Sequence, residues 1–192
     1  MTAEVEALFI KSGALLNGHF QLASGLHSPV YWEKFRVLQY PEYTVQLCRM
    51  IAEHFRTQGV EVVAGPTTGG VILAFEVARQ LGVRGIFAEK EADTGRAFRR
   101  GFSIRPGERT LIVDDILTTG GSVREVVEAV NRLQGKIIGI GVLVDRAEKA
   151  ADFGYSLFSC HRAATVTYPP DKCPLCDAGI PLVHPGSSGQ PS

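Results

Sequence analysis

Two adjacent carboxylates precede a run of threonines and glycines in residues 111–122, which read LIVDDILTTGGS. The apolar residues before Asp114 and Asp115 are typical of a buried parallel strand, and the apolar spacing from Val123 onward predicts a helix. A helix N-terminus offers unpaired N–H groups and partial positive charge, so a small loop leading into it suits a phosphate. The acids can accept hydrogen bonds from sugar hydroxyls, or hold a divalent cation through water. This pattern favours a phosphorylated pentose as ligand.

A simpler interpretation of the same stretch is an ordinary strand-to-helix turn in which Ser122 is the N-cap. That interpretation explains neither the acid pair nor the doubled threonine. The loop also matches neither common nucleotide-binding motif, because no lysine follows its glycines and it contains no G-x-G-x-x-G.

Length and composition predict one soluble domain. The chain has 192 residues, of which 45% are hydrophobic and 21% charged, as in ordinary globular proteins. Lysine plus arginine equal aspartate plus glutamate at 20 each, so the net charge gives no sign of nucleic-acid or membrane binding. No apolar run reaches the roughly 18 residues of a membrane span. The first residues, MTAEVEALFIKSGAL, lack a signal-peptide layout, and a cytoplasmic location is expected.

Strand and helix patterns alternate along most of the chain. They predict an α/β fold with a parallel twisted sheet flanked by helices. In order, the predicted elements are a helix in 3–16, a hairpin in 19–32, a helix at 41–58, a strand at 60–64, a loop at 65–70, a helix at 71–82, a strand at 83–90, a polar loop at 91–108, a strand up to Asp115, a helix at 122–134, a strand at 136–146, a short helix at 148–153 and one or two strands within 155–166.

Polar residues follow the predicted strands at one edge of this sheet, where ligands of parallel sheets bind. Residues 65–70 (GPTTGG) form a second candidate anion loop at a helix N-terminus. Lys90 follows the next strand, and Arg146 follows strand 136–146. The predicted site therefore contains two anion-binding loops, an acid pair that can bind a sugar diol, and basic groups. These groups suit a sugar that carries phosphate at one end and diphosphate at the other.

The motif VDDILTTGG resembles the signature that binds 5-phosphoribosyl 1-diphosphate (PRPP) in type I phosphoribosyltransferases. GHFQLASGLHSPVYWEK, and the VDR that ends strand 136–146, resemble the orotate phosphoribosyltransferases in particular. The resemblance runs from about residue 8 to 150, and the CPLC tail is similar to that of some orotate enzymes. It implies one domain over 1–192, with a hood from about 1–40 and part of 150–185, a core at about 41–150 and a flexible loop at about 91–104.

The resemblance also implies a reaction: transfer of the phosphoribosyl group from PRPP to orotate, giving orotidine 5′-monophosphate and diphosphate in pyrimidine biosynthesis. Mg²⁺ is the implied cofactor, bound through substrate and water near the two acids without a direct protein ligand. A homodimer is implied, and no nucleic-acid or membrane partner. Two alternatives remain open: a phosphoribosyltransferase for a purine base, and a non-catalytic regulator of this fold that binds nucleic acid.

Carried over to this chain, the resemblance assigns the site residue by residue. The catalytic group would be Lys90, Asp114 and Asp115. The same three would bind PRPP together with Ile116, Leu117, Thr118, Thr119, Gly120, Gly121, Ser122, Thr67, Thr68 and Gly69. Orotate would contact Thr118, Arg146 and Lys34.

The chain departs from the family pattern at two places. Many bacterial members have R-K-E-x-K-x-H where this chain has EKEADTG at 89–95. Arg96, Arg99 or Arg100 would then supply the missing charge, and the sequence does not decide among them. Many members also carry lysine at the position of Ala23, for which Lys34 is the proposed replacement.

The cysteines and histidines give a weaker signal. Cys173 and Cys176 form a single C-x-x-C, and one such motif is weak evidence for zinc. The spacings of Cys160, His161 and His184, which could complete a site, fit no common ligand framework. Reduced thiols in a C-terminal loop are the favoured interpretation. His19 and His27 are predicted to be structural or surface residues.

Overall fold

A six-stranded sheet forms the centre of the molecule. The computed structural model describes residues 2–22, 24–92, 95–147, 150–163 and 166–185. Its elements are α1 (Thr2–Lys11), β1 (Leu15–Gln21), β2 (His27–Trp32), α2 (Lys34–Leu38), α3 (Pro41–Phe55), β3 (Val62–Pro66), α4 (Gly69–Leu81), β4 (Arg84–Glu91), β5 (Gly95–Phe98), β6 (Arg109–Leu117), α5 (Gly121–Arg132), β7 (Lys136–Asp145), β8 (Leu157–Arg162) and α6 (Pro174–Asp177), with 3-10 turns at Arg56–Gln58 and Pro170–Lys172.

The strand order is β5-β4-β3-β6-β7-β8. All neighbours run parallel except β4 and β5, which are antiparallel. The predicted α/β class with a mainly parallel sheet is therefore confirmed. Within the described residues, no helix combines the length and apolar character needed to cross a membrane.

The sheet separates two hydrophobic clusters, because alternate strand residues point to opposite faces. Val63, Leu111 and Val113 pack with α1, α3 and α4 on one face. Val62 and Ile112 pack with α5 on the other face. The sheet is thus covered on both sides, and its strand ends remain the place where polar side chains can gather.

Two predicted helices differ from the observed elements. The helix predicted within 3–16 ends at Lys11, and Gly13 then adopts a left-handed φ of 65°. Leu15 consequently begins a strand. No helix is present in the described part of predicted helix 148–153, which is residues 150–153; residues 148 and 149 lie outside the described residues.

The polar segment 91–108 contains a strand that the sequence analysis did not predict. Gly95–Phe98 forms β5, and its Arg96 pairs in register with Lys90 of β4. The segment is short and lacks an apolar alternation, so its local pattern resembled a loop. Residues 93 and 94 of the predicted flexible loop lie outside the described residues, as does Ala23.

The predicted hairpin is confirmed as a separate two-stranded sheet of β1 and β2. The C-terminal segment borders both of its strands: Val183 bridges Phe20, and Tyr168 bridges His27. The chain after β2 runs into α2, whose first residue, Lys34, reaches the main sheet.

Candidate active site

The carboxyl ends of β3, β6 and β7 lie side by side because these strands are parallel. Gly69 follows β3, the acid pair lies in the last four residues of β6, and Arg146 follows β7 directly. The structure therefore gathers the predicted binding segments at one edge of the sheet, where ligands of such folds bind.

Asp114 is 4% exposed and held from two sides. Its Oδ1 accepts a hydrogen bond from the Asp115 N–H at 2.8 Å, and its Oδ2 accepts one from Ser122 Oγ at 3.0 Å. Burial, and then the neighbouring charge of Asp115, raise the pKa of the Asp114 carboxyl above its usual range. Ser122 thus links the acid to the phosphate loop. It is not the N-cap of the simpler interpretation, because Gly120 occupies that position.

Asp115 is 2% exposed and points toward the N-terminus of α4. Its Oδ1 accepts hydrogen bonds from Lys34 Nζ at 2.9 Å and the Ile116 N–H at 2.6 Å. Its buried Oδ2 accepts none from the described residues. A Cβ at Gly69 would lie 1.8 Å from this oxygen, so the close approach requires glycine at that position.

The loop between β6 and α5 has the features of an anion site. Gly120 adopts a left-handed φ of 79°, and no side chain caps the helix. Thr118 and Thr119 are exposed, so their hydroxyls are available to a ligand. A Cβ on Gly120 would lie 2.8 Å from Phe153 Cζ. The first-turn N–H groups of α5 and the threonine hydroxyls can therefore surround a phosphate.

The second loop, between β3 and α4, is held by Arg96. Thr67 N–H donates to the Ala88 carbonyl at 3.1 Å. Arg96 Nη1 donates to Thr67 Oγ1 at 3.0 Å and to the Ala88 carbonyl at 3.1 Å, while Arg96 Nε lies 3.0 Å from Glu125 Oε2. Arg96 is 4% exposed, so it belongs to the scaffold of this loop.

Lys90 lies beyond the end of β3, because Pro66 pairs with Ala88 two residues earlier on β4. Its flanking acids are paired with other residues: Glu89 binds Arg100, and Glu91 binds Arg99. Lys90 itself is exposed, so its ammonium group is accessible to a ligand above the Thr67 loop.

A further group of residues near the site consists of Arg146, Lys34 and Tyr31. Arg146 is 8% exposed, and its N–H donates to the Leu117 carbonyl at 2.8 Å. Burial lowers the pKa of Arg146, and the nearby Tyr31 opposes that shift. Burial raises the pKa of Tyr31, and Lys34 and Arg146 oppose the increase. Tyr31 thus interacts electrostatically with both predicted orotate-side residues, Lys34 and Arg146.

The sequence of this chain matches a known protein family. Residues 36–167 match the family model described as the phosphoribosyl transferase domain. The chain belongs to the phosphoribosyltransferase family. A protein named orotate phosphoribosyltransferase from Pelotomaculum thermopropionicum is 53% identical over 184 residues, covering 96% of each chain. Another protein of that name, from Desulforamulus reducens, is 49% identical with the same coverage.

A solved structure agrees with these sequence relatives. Orotate phosphoribosyltransferase from Aeropyrum pernix superposes with a TM-score of 0.71 at 27% identity, covering 82% of this chain and 93% of that one. This phosphoribosyltransferase is accordingly a member of the orotate enzymes within the family, as the hairpin residues and the VDR at the end of β7 predicted.

Two features of the site were not predicted. Arg96 acts within the scaffold, and Tyr31 lies among the groups assigned to orotate. The basic cluster at 96–100 was visible in the sequence, but which arginine turns inward was not. Tyr31 was not singled out in the sequence analysis, and its electrostatic interaction with Arg146 links it to the site.

Proposed function

We infer that this chain transfers the phosphoribosyl group of PRPP to N1 of orotate, a step of pyrimidine biosynthesis. The C1–oxygen bond to diphosphate breaks and a C1–N1 bond forms, so diphosphate leaves with the bonding electrons. The observation that carries this inference is the buried acid pair beside an uncapped, glycine-bounded helix N-terminus, in a chain whose relatives bear the orotate enzyme's name.

The two acids would bind the ribose. Asp114 and Asp115 present carboxylate oxygens at the strand end, and Asp115 Oδ2 has no hydrogen-bond donor among the described residues. Ribose hydroxyls donate well to such oxygens. Residues 116–122 would surround the 5′-phosphate with backbone N–H groups and the hydroxyls of Thr118 and Thr119.

Residues at the other side would bind the leaving group. Thr67, Thr68 and Gly69 lie at the N-terminus of α4, and Lys90 extends beyond the same loop. Negative charge grows on diphosphate as the bond to C1 weakens, so a positioned ammonium group stabilises the transition state more than the ground state. We assign this catalytic role to Lys90.

Arg146 would bind the carboxylate of orotate, since a guanidinium donates two parallel hydrogen bonds to a carboxylate. Lys34, which contacts Asp115 at 2.9 Å, connects the orotate side to the ribose side. Thr118 is exposed and is assigned to both ligands.

Mg²⁺ fits the donor set as an ion held through water. Asp114 and Asp115 are oxygen donors, which Mg²⁺ prefers, and such ions keep several waters in phosphate sites. When bound, Mg²⁺ would neutralise charge on the diphosphate. The protein's own contribution is to hold both carboxylates buried and oriented.

A closing loop, a hood and a homodimer complete the proposal. The hood would comprise residues 1–40 with part of 150–185, over a core at 41–150. Residues 91–104 would close over diphosphate as a loop, while Arg96 stays fixed to Thr67. Four free cysteines suit a reducing compartment, and we place the enzyme in the cytoplasm.

Loss of orotate absorbance with PRPP and Mg²⁺ tests the reaction directly. The wild type should consume orotate, and Lys90→Ala should be slower by about 100-fold or more, as for removal of one transition-state donor. Lys136→Ala is the matched control, because Lys136 is an exposed lysine at the start of β7 and so at the opposite edge of the sheet.

Three outcomes would change the assignment. Equal rates in wild type and Lys90→Ala would keep the reaction and remove Lys90 from it. Consumption of adenine or hypoxanthine without orotate would favour the purine alternative. Absence of any transfer, together with salt-dependent binding to DNA or RNA, would favour the regulator.

A further inference from the structure

Two histidines of the hairpin and two cysteines of the C-terminal segment converge, and none of the four is among the residues assigned to PRPP and orotate. His19 lies in β1, His27 begins β2, and Cys173 and Cys176 come from the C-terminal segment. One ligand atom of each lies within 4.8 Å of all the others. We propose that these four side chains bind a structural zinc ion that joins the C-terminal segment to the hairpin.

The distances suit a tetrahedral ion. Zinc bonds of ~2.0–2.1 Å to nitrogen and ~2.3 Å to sulfur place neighbouring ligand atoms about 3.3–3.8 Å apart. His19 Nε2 lies 3.6 Å from Cys173 Sγ and 3.7 Å from Cys176 Sγ, and Cys176 Sγ lies 3.3 Å from His27 Nδ1. The two ring nitrogens are 2.9 Å apart, so a small separation of the rings would complete the geometry.

The orientation of His19 favours metal binding. Its Nδ1 lies 2.8 Å from the Ile180 carbonyl oxygen. A carbonyl can only accept, so Nδ1 carries the proton and the Nε2 lone pair faces the cluster. A ligating histidine that donates its other N–H to a carbonyl is the usual arrangement around zinc.

The donor set selects the metal. Two thiolates and two imidazoles with tetrahedral spacing suit zinc, whereas Mg²⁺ and Ca²⁺ prefer oxygen ligands. Four protein ligands leave no open position for water, which is the arrangement of structural sites. Binding would release the two thiol protons as the sulfur–metal bonds form.

The C-terminal segment has few other means of staying in place. Among residues 171–185, Cys173 is the buried residue at 1% exposure, and Ile180 and Val183 are 41% and 48% exposed. Backbone pairing at Tyr168 and Val183 borders the cluster on both sides. A metal cross-link would therefore add to the order that this backbone pairing gives the segment.

The sequence analysis considered zinc with other partners. Cys160 instead donates to the Leu47 carbonyl at 3.7 Å, and His161 lies against Trp32. Neither belongs to the four-residue cluster, and His184 does not either. The cluster joins residues about 150 positions apart, which no local spacing could indicate.

The test uses the full-length protein purified without added metal chelators. Native mass spectrometry should show a mass increase of one zinc ion less two protons, and elemental analysis should find one zinc per chain. Cobalt exchanged into the site should give the visible absorption bands of a tetrahedral thiolate complex. Removing the ion should lower Tm by about 5–10 °C if zinc is present at ~100 times its Kd.

Cys176→Ser is the decisive variant because Cys176 is exposed and its replacement leaves the core unchanged. Since loss of an outer-shell partner costs about 10–100-fold in metal affinity, loss of a ligand should cost more than about 100-fold. Cys160→Ser is the matched control and should retain the ion. Trypsin should also cut after exposed Lys172 faster in Cys176→Ser than in the control.

Other outcomes would overturn the proposal. Wild type without zinc and with four titratable thiols would mean a hydrogen-bonded cluster only. Two titratable thiols after denaturation would mean a Cys173–Cys176 disulfide. Equal zinc content in Cys176→Ser and wild type would place the metal elsewhere.

Discussion

Asp114 shows how a carboxylate that we assign to ribose binding can oppose stability. Its pKa rises to about 7 through burial and the charge of Asp115, against ~3.9 in an unfolded chain. The folded state therefore holds more protons than the unfolded state between those values, and stability falls as pH rises through this window. The site thus retains a buried carboxylate whose negative charge lowers the stability of the folded state.

Asp114→Asn should therefore raise the free energy of unfolding at pH 8 by about 1–3 kcal/mol, while weakening PRPP binding. Its amide can still accept from the Asp115 N–H, so the loop geometry is retained. Urea unfolding at pH 5 and pH 8 measures both the gain and the smaller pH slope. Asp171→Asn, an exposed acid, should change neither; a variant less stable than wild type at pH 8 would contradict the argument.

Gly69 carries a steric prediction at the same scale. Gly69→Ala places a methyl group on Asp115 Oδ2, and relieving that overlap should lower Tm by several degrees and weaken PRPP binding. Gly121→Ala is the stability control, since both glycines begin a helix and the added Cβ at Gly121 meets its nearest atom at 3.8 Å. Scanning calorimetry measures the loss of stability, and titration with PRPP measures the loss of affinity. Equal Tm values for Gly69→Ala and Gly121→Ala would contradict the predicted steric clash.

At the scale of elements, Arg96 joins β5 to the β3–α4 loop and to α5. Its guanidinium reaches Thr67, the Ala88 carbonyl and Glu125 together, which a lysine cannot do because its charge is compact. We expect Arg96→Lys to lower PRPP affinity about 10-fold or more by releasing the Thr67 loop. Arg79→Lys on α4 is the control, because its exposed ion pair with Glu76 contributes little. Titration with PRPP measures the affinity of each variant. Equal affinities of Arg96→Lys and the control would mean that Arg96 does not hold the Thr67 loop in place.

The apolar pattern of the sequence predicted those helices and strands whose conformation is determined by neighbouring residues. Buried strands such as β6 and helices such as α5 have apolar spacings that follow directly from their environment. β5 has no such pattern: it is held by pairing with β4 and by the contact of Arg96 with Thr67, 29 positions away in sequence. For the same reason the acid pair could be predicted from its position at a strand end, whereas the approach of Tyr31 to Arg146 required the fold.

At the scale of the whole molecule, an apolar face of α4 remains uncovered. Ile72 and Phe75, three residues apart on one face of the helix, are 38% and 69% exposed. Two apolar side chains exposed together on one helix face form a patch that a partner can cover. The neutral net charge would not keep two such chains apart. We therefore propose this face as part of the homodimer interface.

Phe75→Asp should shift the protein from dimer to monomer, because an isologous contact would bring the two introduced charges together. Sedimentation equilibrium at several protein concentrations measures the mass directly. Ile10→Asp on α1, where Ile10 is 59% exposed, is the control for the general effect of a surface charge. A Phe75→Asp protein that stays dimeric would place the interface elsewhere. A wild type that is monomeric at all concentrations would exclude the dimer, and the exposed α4 face would then need another partner.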